Sequence, residues 1–332
     1  EYLSSSKYKT NILLHTFKHS DRIFNINGLF KILSICKEIQ SILNLFKTDV
    51  VVLTDNTPVS LLLPQFLKKR FKKYMFIHDG LYHLTSFTVR NIIAKYFYNF
   101  LMYKAIHSLD SLIFLSKSNK ERFFCKYHVK KKNYTIRLCA HIDNLKSEKN
   151  EIDHLPDNYY LFYGRIEKYK GLQVLLKAYQ MDSTHQLPNL IIAGKGIISK
   201  KNLLYISQLK NKIILINRYI NDSDTIYLFE NSLGVILPYI EASQSGIIPI
   251  AYKYSKPVFV SNIASLTENV IDNKTGFVFK NRKSNELLNK LIFYNEYSDK
   301  SKYKHDITEY YHNHFNWKLN LKPLIEDIKK ES

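Results

Sequence analysis

Short apolar runs alternate with segments of helical apolar spacing along almost the whole chain, and this alternation limits the folds open to it. In the first part of the sequence we predict strands at residues 11–17, 50–55, 74–80, 111–116 and 133–139, and helices at 28–46 and 117–128. Strands that alternate with helices form a parallel sheet whose two faces are covered by the helices. The first part of the chain is therefore expected to be an α/β domain.

The alternation is interrupted once and then starts again. Residues 142–158 are polar and charged and contain Pro156, a composition typical of a linker. Beyond this segment we predict strands at 159–164, 189–196, 212–217, 233–239, 257–262 and 276–279, and helices at 171–180, 224–231 and from about 284 onward. The second part of the chain is thus expected to repeat the architecture of the first.

This order of elements predicts an α/β protein with two doubly wound, Rossmann-like parallel-sheet domains that face a central cleft. We expect an N-terminal domain at 1–141, a linker at 142–158, a C-terminal domain at 159–314, and a last helix in 315–332 that packs back on the first domain. The 332 residues, 45% of them hydrophobic, suffice for two cores of ordinary size. Ligands of such sheets bind at the carboxyl ends of the strands.

Cysteine usage and hydropathy place the chain in a broad class. The three cysteines, Cys36, Cys125 and Cys139, lie far apart and match no metal or disulfide spacing. That usage is typical of a reducing compartment. No apolar run approaches the roughly 18–20 residues of a membrane span, and no signal peptide is visible. These features are compatible with a cytoplasmic protein. Because the chain opens at Glu1 without a methionine, we expect the sequence to be a fragment that begins downstream of its start.

The positive charge is carried mainly by lysine. The formal net charge is +20, and only eight of the 49 basic residues are arginines. Lysine suits a diffuse attractive surface, whereas arginine dominates bidentate recognition. Residues 65–76 and 89–108 mix lysine and arginine with aromatic and aliphatic residues at spacings compatible with amphipathic helices, which predicts docking on an anionic membrane surface.

The excess of lysine is also compatible with two alternatives. One is composition alone, either ordinary helices with solvated lysines or a bias from AT-rich coding. The other is nucleic-acid binding. We disfavour nucleic acid as a partner, because no nucleic-acid-binding module is recognisable and arginine is scarce.

Two cations follow the first strand of the second domain. That strand ends at Gly164, Arg165 comes next, and Lys170 stands where the following helix opens. Cations beside a helix start form an anion site, because the helix N-terminus adds oriented N–H donors. The alternative is that both are solvated loop cations. The next strand ends in Gly194, but the third glycine of a dinucleotide fingerprint is missing there, which leaves a plain strand-to-loop turn.

Four motifs occur in a fixed order in the second domain. They are FYGRIEKYKGLQVLLKAY (162–179), LIIAGKG (190–196), LPYIEASQSGIIPIAYKYSKPVFVSN (237–262) and SLTENVIDNKTGFVF (265–279). Together they resemble the donor-binding domain of retaining, GT-B-fold glycosyltransferases of group 1 (family 4), and in particular bacterial enzymes that build O-antigens, capsules and other surface polysaccharides. The resemblance covers 159–280 well and the first domain only loosely.

The resemblance implies a reaction. A sugar would move from a nucleotide-diphosphate sugar to a glycan or polyprenyl-linked acceptor at the cytoplasmic face of the inner membrane, with no metal and no other cofactor. Negative charge builds on the departing diphosphate, and positioned cations stabilise that charge where it develops. Arg165 and Lys170 match the phosphate-binding pair of the family, and the amides of Ser245 and Gly246 would face the same phosphates. Glu241 matches the glutamate that binds hydroxyls of the donor sugar.

Other site positions follow the family less closely. Gly164 and Gly194 would border the nucleotide and the sugar. The glutamate expected eight residues after Glu241, usually assigned to the ribose, is missing, and Gln244 and Glu268 are alternatives for it.

The first domain matches the family only in part. His78 would face the reacting sugar, and Asp79 and His83 rank below it. The glycine-rich loop that usually follows the first strand is absent from the sequence, so we expect this domain to lack its first strand and loop.

Asp222-Ser223-Asp224 is interpreted as a helix cap and not as a metal site. Two other functions stay open. One is a nucleotide-sugar epimerase of the same fold, and the other is a non-catalytic basic protein that binds membranes or nucleic acid.

Overall fold

The computed structural model describes residues 26–45, 49–78, 89–140, 152, 155–183, 186–297 and 299–331. Two compact units are present, one formed by residues 1–74 and 82–110 and the other by residues 75–81 and 111–332. The strand predicted at 11–17, the residues Asp79 and His83, and most of the predicted linker lie outside the described residues. The proposed domain boundary at residue 141 stays a prediction.

Helices dominate the first unit. Its elements in chain order are α1 (Ile26–Leu45), β1 (Val50–Leu53), α2 (Pro58–Phe66), the beginning of β2 (Lys72–Ile77) and α3 (Val89–Ser108). Helix α2 begins at an N-cap, Thr57, whose hydroxyl accepts a hydrogen bond from the Ser60 amide. The helix packs against both α1 and α3. The sequence pattern did not predict α2, because the run is short and Pro64 lies inside it.

The interpretation of residues 65–76 as one amphipathic helix was wrong. Helix α2 ends at Phe66, and β2 begins at Lys72. Between them, Lys68, Lys69 and Arg70 lie exposed in a loop. Tyr74, Met75 and Ile77 are buried in that strand. The run from Tyr74 to Ile77 is as compatible with a buried strand as with a helix.

The second unit contains the rest of β2 and all elements after α3. They are β3 (Ser111–Phe114), α4 (Lys117–Tyr127), β4 (Lys132–Thr135), β5 (Tyr159–Tyr163), a 3-10 turn (Lys168–Lys170), α5 (Leu172–Met181), β6 (Asn189–Ala193), α6 (Lys200–Gln208), β7 (Ile213–Ile216), α7 (Asp222–Asn231), β8 (Gly234–Leu237), α8 (Ile247–Lys253), β9 (Val258–Ser261), α9 (Ala264–Thr267), β10 (Gly276–Phe279), α10 (Ser284–Glu296), α11 (Lys300–His314) and α12 (Trp317–Glu331).

The strands form two sheets. The first has the order β1-β2-β3-β4, and β3 and β4 pair in parallel from Ser111 opposite Lys132 to Phe114 opposite Thr135. The second has the order β10-β9-β8-β5-β6-β7, and all of its pairs are parallel. The prediction of an α/β fold with two parallel sheets is confirmed.

Aromatic side chains fill the core of the second sheet. Tyr159, Tyr160 and Phe162 of β5 are fully buried, and the Phe259 and Phe277 rings stack with their centroids 5.0 Å apart. A strand buried on both faces needs a continuous apolar run, which is what β5, β8 and β9 have. The strand order reverses between β5 and β8, so the carboxyl ends of these two strands flank the point where sheets of this class bind ligands.

The last helix packs on the segment that follows β4. The Trp317 Nε1 donates a hydrogen bond to the Ala140 carbonyl at 3.1 Å, and Asp327 forms an ion pair with Lys132. No helix in the described parts of the chain combines the length and the apolarity that a membrane crossing requires.

Candidate active site

The loop after β5 carries the first predicted site residues. Gly164 adopts a φ of 93°, and its amide donates to the Ala193 carbonyl at 2.9 Å, so the loop stays joined to the end of β6. A Cβ atom added to Gly164 would lie 2.7 Å from the Lys170 Nζ. The absent side chain therefore leaves the space in which the Lys170 ammonium sits.

Lys170 is the buried cation of this edge. Only 7% of the residue is exposed. Its Nζ lies 3.5 Å from the Tyr163 carbonyl oxygen and 5.6 Å from the centroid of the Tyr239 ring. The pKa of Lys170 is lowered from 10.5 to about 8, chiefly by burial; Glu167 opposes this shift and Arg165 adds to it. Because a carbonyl and an aromatic face carry no full negative charge, the ammonium is only partly compensated.

Close backbone packing fixes the turn that carries Lys170. Gly171, which ends the turn, has a φ of 69°, and a Cβ atom there would lie 1.8 Å from the Pro238 carbonyl oxygen. The Ile240 amide donates to the Tyr169 carbonyl at 2.6 Å. The turn therefore lies directly against the segment that follows β8, which is how Lys170 meets Tyr239.

Arg165 differs from Lys170 in its surroundings. Its side chain is 80% exposed and pairs with Glu167 at 3.3 Å. A pair so exposed contributes little to stability, and the guanidinium can leave it at small cost. The structure thus buries Lys170 and leaves Arg165 in solvent, both after the carboxyl end of β5.

The segment after β8 contains the predicted Glu241, Ser245 and Gly246. Ser245 hydrogen-bonds the Tyr239 hydroxyl and accepts a bond from the Ile247 amide at 3.3 Å. Gly246 is the residue before α8, in an ordinary helical conformation. Glu241 is exposed. Burial raises the pKa of Tyr239, which keeps that phenol protonated.

His78 and Gln244 meet although 166 residues separate them. The Gln244 Nε2 lies 3.4 Å from the His78 Nδ1, and the Gln244 Oε1 is buried without a hydrogen-bond partner among the described residues. His78 directly follows β2, and its carbonyl accepts a bond from Asn119 at 3.1 Å. An amide that donates to Nδ1 leaves the proton of a neutral imidazole on Nε2.

Glu268 makes its hydrogen bonds at the start of α4 and not with the loops around Lys170. Its Oε2 accepts from the Lys117 amide at 3.0 Å and the Ser118 amide at 3.3 Å, at the start of α4. Burial raises the pKa of Glu268, and these amides and Ser116 oppose the rise. The carboxylate therefore acts as a cap for α4, and a ribose contact by Glu268 would have to compete with these bonds.

The two predicted aspartates lie in the first turn of α7, and the cap itself is Asn221, one residue earlier than predicted. The Asn221 side chain accepts from the Asp224 amide at 2.8 Å. Asp224 is fully buried and pairs with Arg218 at 2.7 Å. Within the described ranges, no group of three or more His, Cys, Asp or Glu side chains is close enough to hold a metal ion.

The loop after β6 lies beside the loop after β5. The Gly194 amide donates to the Ile216 carbonyl at 3.0 Å, and the Lys195 carbonyl accepts from the Ile166 amide at 3.0 Å. Loops from β5, β6 and β8 therefore form one continuous rim at the carboxyl edge of the second sheet.

A comparison with known families decides the class of the protein. The sequence pattern of the family Glycosyl transferases group 1 matches residues 144–313, which is just over half of the chain and includes the whole rim. The chain belongs to the group 1 glycosyl transferases.

Individual relatives of this group 1 glycosyl transferase are distant. The capsular polysaccharide biosynthesis glycosyltransferase CapM of Staphylococcus aureus is 24% identical in an alignment of 201 residues that covers 55% of this chain and 52% of CapM. The chain thus spans about half the length of that curated relative.

Two solved structures share the fold. A glycosyltransferase from Rickettsia africae ESF-5 superposes with a TM-score of 0.71 at 23% identity, over 92% of this chain and 83% of that one. Anabaena Alr3699/HepE, solved in complex with UDP and glucose, superposes with a TM-score of 0.70 at 16% identity, over 92% of this chain and 84% of its own. These likenesses confirm the predicted GT-B class of fold.

Sequence reasoning missed two residues of this candidate site. Tyr239 supplies the aromatic face against Lys170, and Tyr169 supplies the carbonyl that joins the two loops. Tyr239 stands two residues before Glu241 in a motif that was already singled out, so its position was a usable signal. The role of Tyr169 depends on backbone geometry, which no side-chain pattern indicates.

Proposed function

We propose that the chain is a retaining glycosyltransferase that transfers a sugar from a nucleotide-diphosphate sugar to a lipid-linked glycan acceptor in bacterial surface-polysaccharide synthesis. The observation that carries the proposal is the buried, partly compensated Lys170 ammonium at the carboxyl end of β5. A protein keeps such a charge at a ligand site when the ligand supplies the missing negative charge.

The donor diphosphate fits this edge of the sheet. Lys170 would bind it from within the protein, and Arg165 would turn from Glu167 toward it from the solvent side. A charge pair in a site of low dielectric is stronger than one in water. As the bond between sugar and phosphate breaks, charge grows on the diphosphate, and both cations stabilise it. The amides of Ser245 and Gly246 are proposed as further donors to the phosphates.

The sugar side of the donor is assigned to Glu241 and His78. A carboxylate can accept hydrogen bonds from sugar hydroxyls, and Glu241 is exposed beside the loop that holds Lys170. Gln244 is already bonded to His78, so we propose that it acts with the histidine and not on the ribose. The UDP and glucose bound by HepE make UDP-glucose the first donor to test.

The lipid-linked acceptor is supported by the surface of α3 in the first unit. Ile93, Tyr96, Phe100 and Tyr103 are 59%, 72%, 56% and 50% exposed. Their spacing of three, four and three residues puts them on one helix face. The Lys104 Nζ lies 5.8 Å from the centroid of the Phe100 ring.

An exposed aromatic face with adjacent lysines suits the interface of an anionic membrane. The exposed cations Lys68, Lys69 and Arg70 of the same unit add to the attraction. We therefore propose that the protein works at the inner face of the plasma membrane. CapM, named for capsular polysaccharide biosynthesis, is the relative that points to surface polysaccharide.

Donor binding and product analysis test the proposal. A panel of UDP, GDP and ADP sugars is screened by thermal shift, and a donor at 100 times its dissociation constant should stabilise the protein by about 2.7 kcal/mol. The stabilising donor is then incubated with membrane extract, and the product is analysed by NMR. Transfer with the anomeric configuration of the donor kept supports the proposal. An inverted product refutes the retaining chemistry, and an epimerised donor without transfer supports the epimerase alternative.

A further inference from the structure

A second cavity, separate in its residues from the rim around Lys170, opens at the carboxyl ends of β3 and β4. Its volume is about 520 Å³, within the usual range of small-molecule sites. The walls come from β3 and β4, from α9, and from the junction of α11 with α12. Carboxyl ends of parallel strands are where α/β sheets bind ligands, so the position of the cavity is that of a site.

Arg137 is the central cation of this cavity. Its guanidinium carbon lies 5.4 Å from the centroid of the Phe315 ring and 5.8 Å from that of Tyr310, whose phenol it also hydrogen-bonds. Aromatic faces hold a guanidinium in a fixed orientation without neutralising it. No carboxylate of the described chain lies within ion-pair distance of Arg137.

The one carboxylate of the cavity is already engaged. Glu268 accepts hydrogen bonds from the Lys117 and Ser118 amides and from the Ser116 side chain. Among the groups that change the pKa of Glu268, Arg137 has the smallest effect. Glu268 therefore compensates chiefly the N-terminus of α4 and compensates Arg137 only weakly. The Lys117 side chain adds a second positive charge to the same wall.

His314 also lines this cavity. Burial and the Arg137 charge lower its pKa below 6.5, so the imidazole is neutral at pH 7 and can donate one hydrogen bond. The remaining polar lining consists of hydroxyl and amide groups, including Thr135, Asn269 and Asn313. Groups of this kind pair with hydroxyls as both donors and acceptors.

We propose that this cavity is a binding site for an acidic saccharide, a sugar that carries a phosphate or a carboxylate. The anionic group lies against Arg137, Lys117 and His314, and the sugar hydroxyls lie against the amide and hydroxyl side chains. The inference goes beyond the proposed transfer reaction and does not rest on it, because its residues are not those of the donor rim.

Calorimetry with four probes tests the site in the full chain. The probes are mannose 6-phosphate, glucuronate, inorganic phosphate and neutral mannose. We expect an acidic sugar to bind at least tenfold more tightly than mannose and than inorganic phosphate. The better of the two acidic sugars identifies the anionic group. Equal affinity for mannose and both acidic sugars, or no binding of either acidic sugar, overturns the proposal.

Matched variants locate the binding. Arg137→Gln should weaken the acidic sugar tenfold or more, and Lys117→Gln should weaken it severalfold. The controls Arg122→Gln and Lys120→Gln on α4, which do not line the cavity, should leave the affinity unchanged. If Arg137→Gln fails to fold, Lys117→Gln against Lys120→Gln decides alone. Unchanged affinity in both cavity variants overturns the proposal.

Two further measurements separate this site from the donor site. Lys170→Met should leave acidic-sugar affinity intact, and Arg137→Gln should leave UDP affinity intact. Binding of the acidic sugar should also raise the pKa of His314. NMR on protein labelled with ¹⁵N at histidine measures this pKa, and the His314→Gln variant assigns the signal. Loss of acidic-sugar binding in Lys170→Met would place the ligand at the donor rim and refute a second site, whatever the outcome for transfer.

Discussion

Lys170 makes the pH dependence of diphosphate binding a direct test of the proposed donor site. Its pKa of about 8 in the free protein means that roughly a tenth of the side chains are neutral at pH 7, half at pH 8 and nine-tenths at pH 9. A bound diphosphate favours the ammonium form, which returns the pKa toward its ordinary value or above. Binding of UDP should therefore take up protons in those proportions.

The magnitudes follow from linkage. Uptake should be about 0.1 proton at pH 7, about 0.5 at pH 8 and about 0.9 at pH 9, and the UDP affinity should fall about tenfold from pH 7 to pH 9. Other groups interfere least near pH 8, between the second ionisation of the phosphate and the ionisation of the uracil ring. Arginine does not lose its proton, and the second ionisation of a phosphate, near pH 6, is complete by pH 8.

Calorimetry in buffers of different ionisation enthalpy counts the protons. The slope of observed enthalpy against buffer enthalpy gives the uptake at each pH. Lys170→Met should bind UDP more weakly and show no uptake at pH 9, while Lys177→Met, at an exposed lysine of α5, should behave as the wild type. Tight UDP binding at pH 9 with no proton uptake by the wild type would refute the assignment of Lys170 to the diphosphate.

Three further predictions test separate parts of the proposal. First, between pH 8 and 10.5 Lys170 is protonated in the unfolded chain and mostly neutral in the folded chain. The cost of burying its charge lowers the free energy of unfolding by about 3 kcal/mol below pH 8, and this cost vanishes as the pH rises to 10.5. Lys170→Met should therefore be more stable than the wild type at pH 7 by up to this amount and gain nothing at pH 10.5, as urea unfolding will show; a difference independent of pH contradicts the reasoning. Second, Glu241→Gln should keep its melting temperature and UDP affinity but lose tenfold or more in turnover, about 1.4 kcal/mol of barrier, and normal turnover would remove Glu241 from the sugar site. Third, the double change of Tyr96 and Phe100 to serine should reduce sedimentation with anionic vesicles severalfold, while Tyr219→Ser, an equally exposed tyrosine of the second unit, should not. Unchanged sedimentation of the double variant would attribute binding to charge alone.

The order of strands and helices was readable from the sequence because each element carries its own periodic signal. A strand buried on both faces has a nearly continuous apolar run, as β5, β8 and the first three residues of β9 do. The position of Arg165 and Lys170 at a strand end followed from the same pattern, as did the place of Glu241 after β8. The two elements that the sequence did not predict correctly also have local causes. Helix α2 contains an internal proline, and 72–77 is compatible with either period.

Only the tertiary structure distinguished residues that the sequence presents as equals. Arg165 and Lys170 are both cations after β5, yet one is in solvent and the other is under the Tyr239 ring, because Gly164 and Gly171 let the turn close on the loop after β8. No periodic signal encodes that approach, since it depends on backbone atoms of a strand far along the chain.

The tertiary structure also decided which distant residues Gln244 and Glu268 contact. Gln244 and Glu268 were alternatives for one missing contact, and the fold gives them different ones, His78 for the first and the start of α4 for the second. Each of these contacts spans 150 residues or more. Sequence periodicity specifies which face of an element is buried, but packing of the whole sheet decides what that face meets.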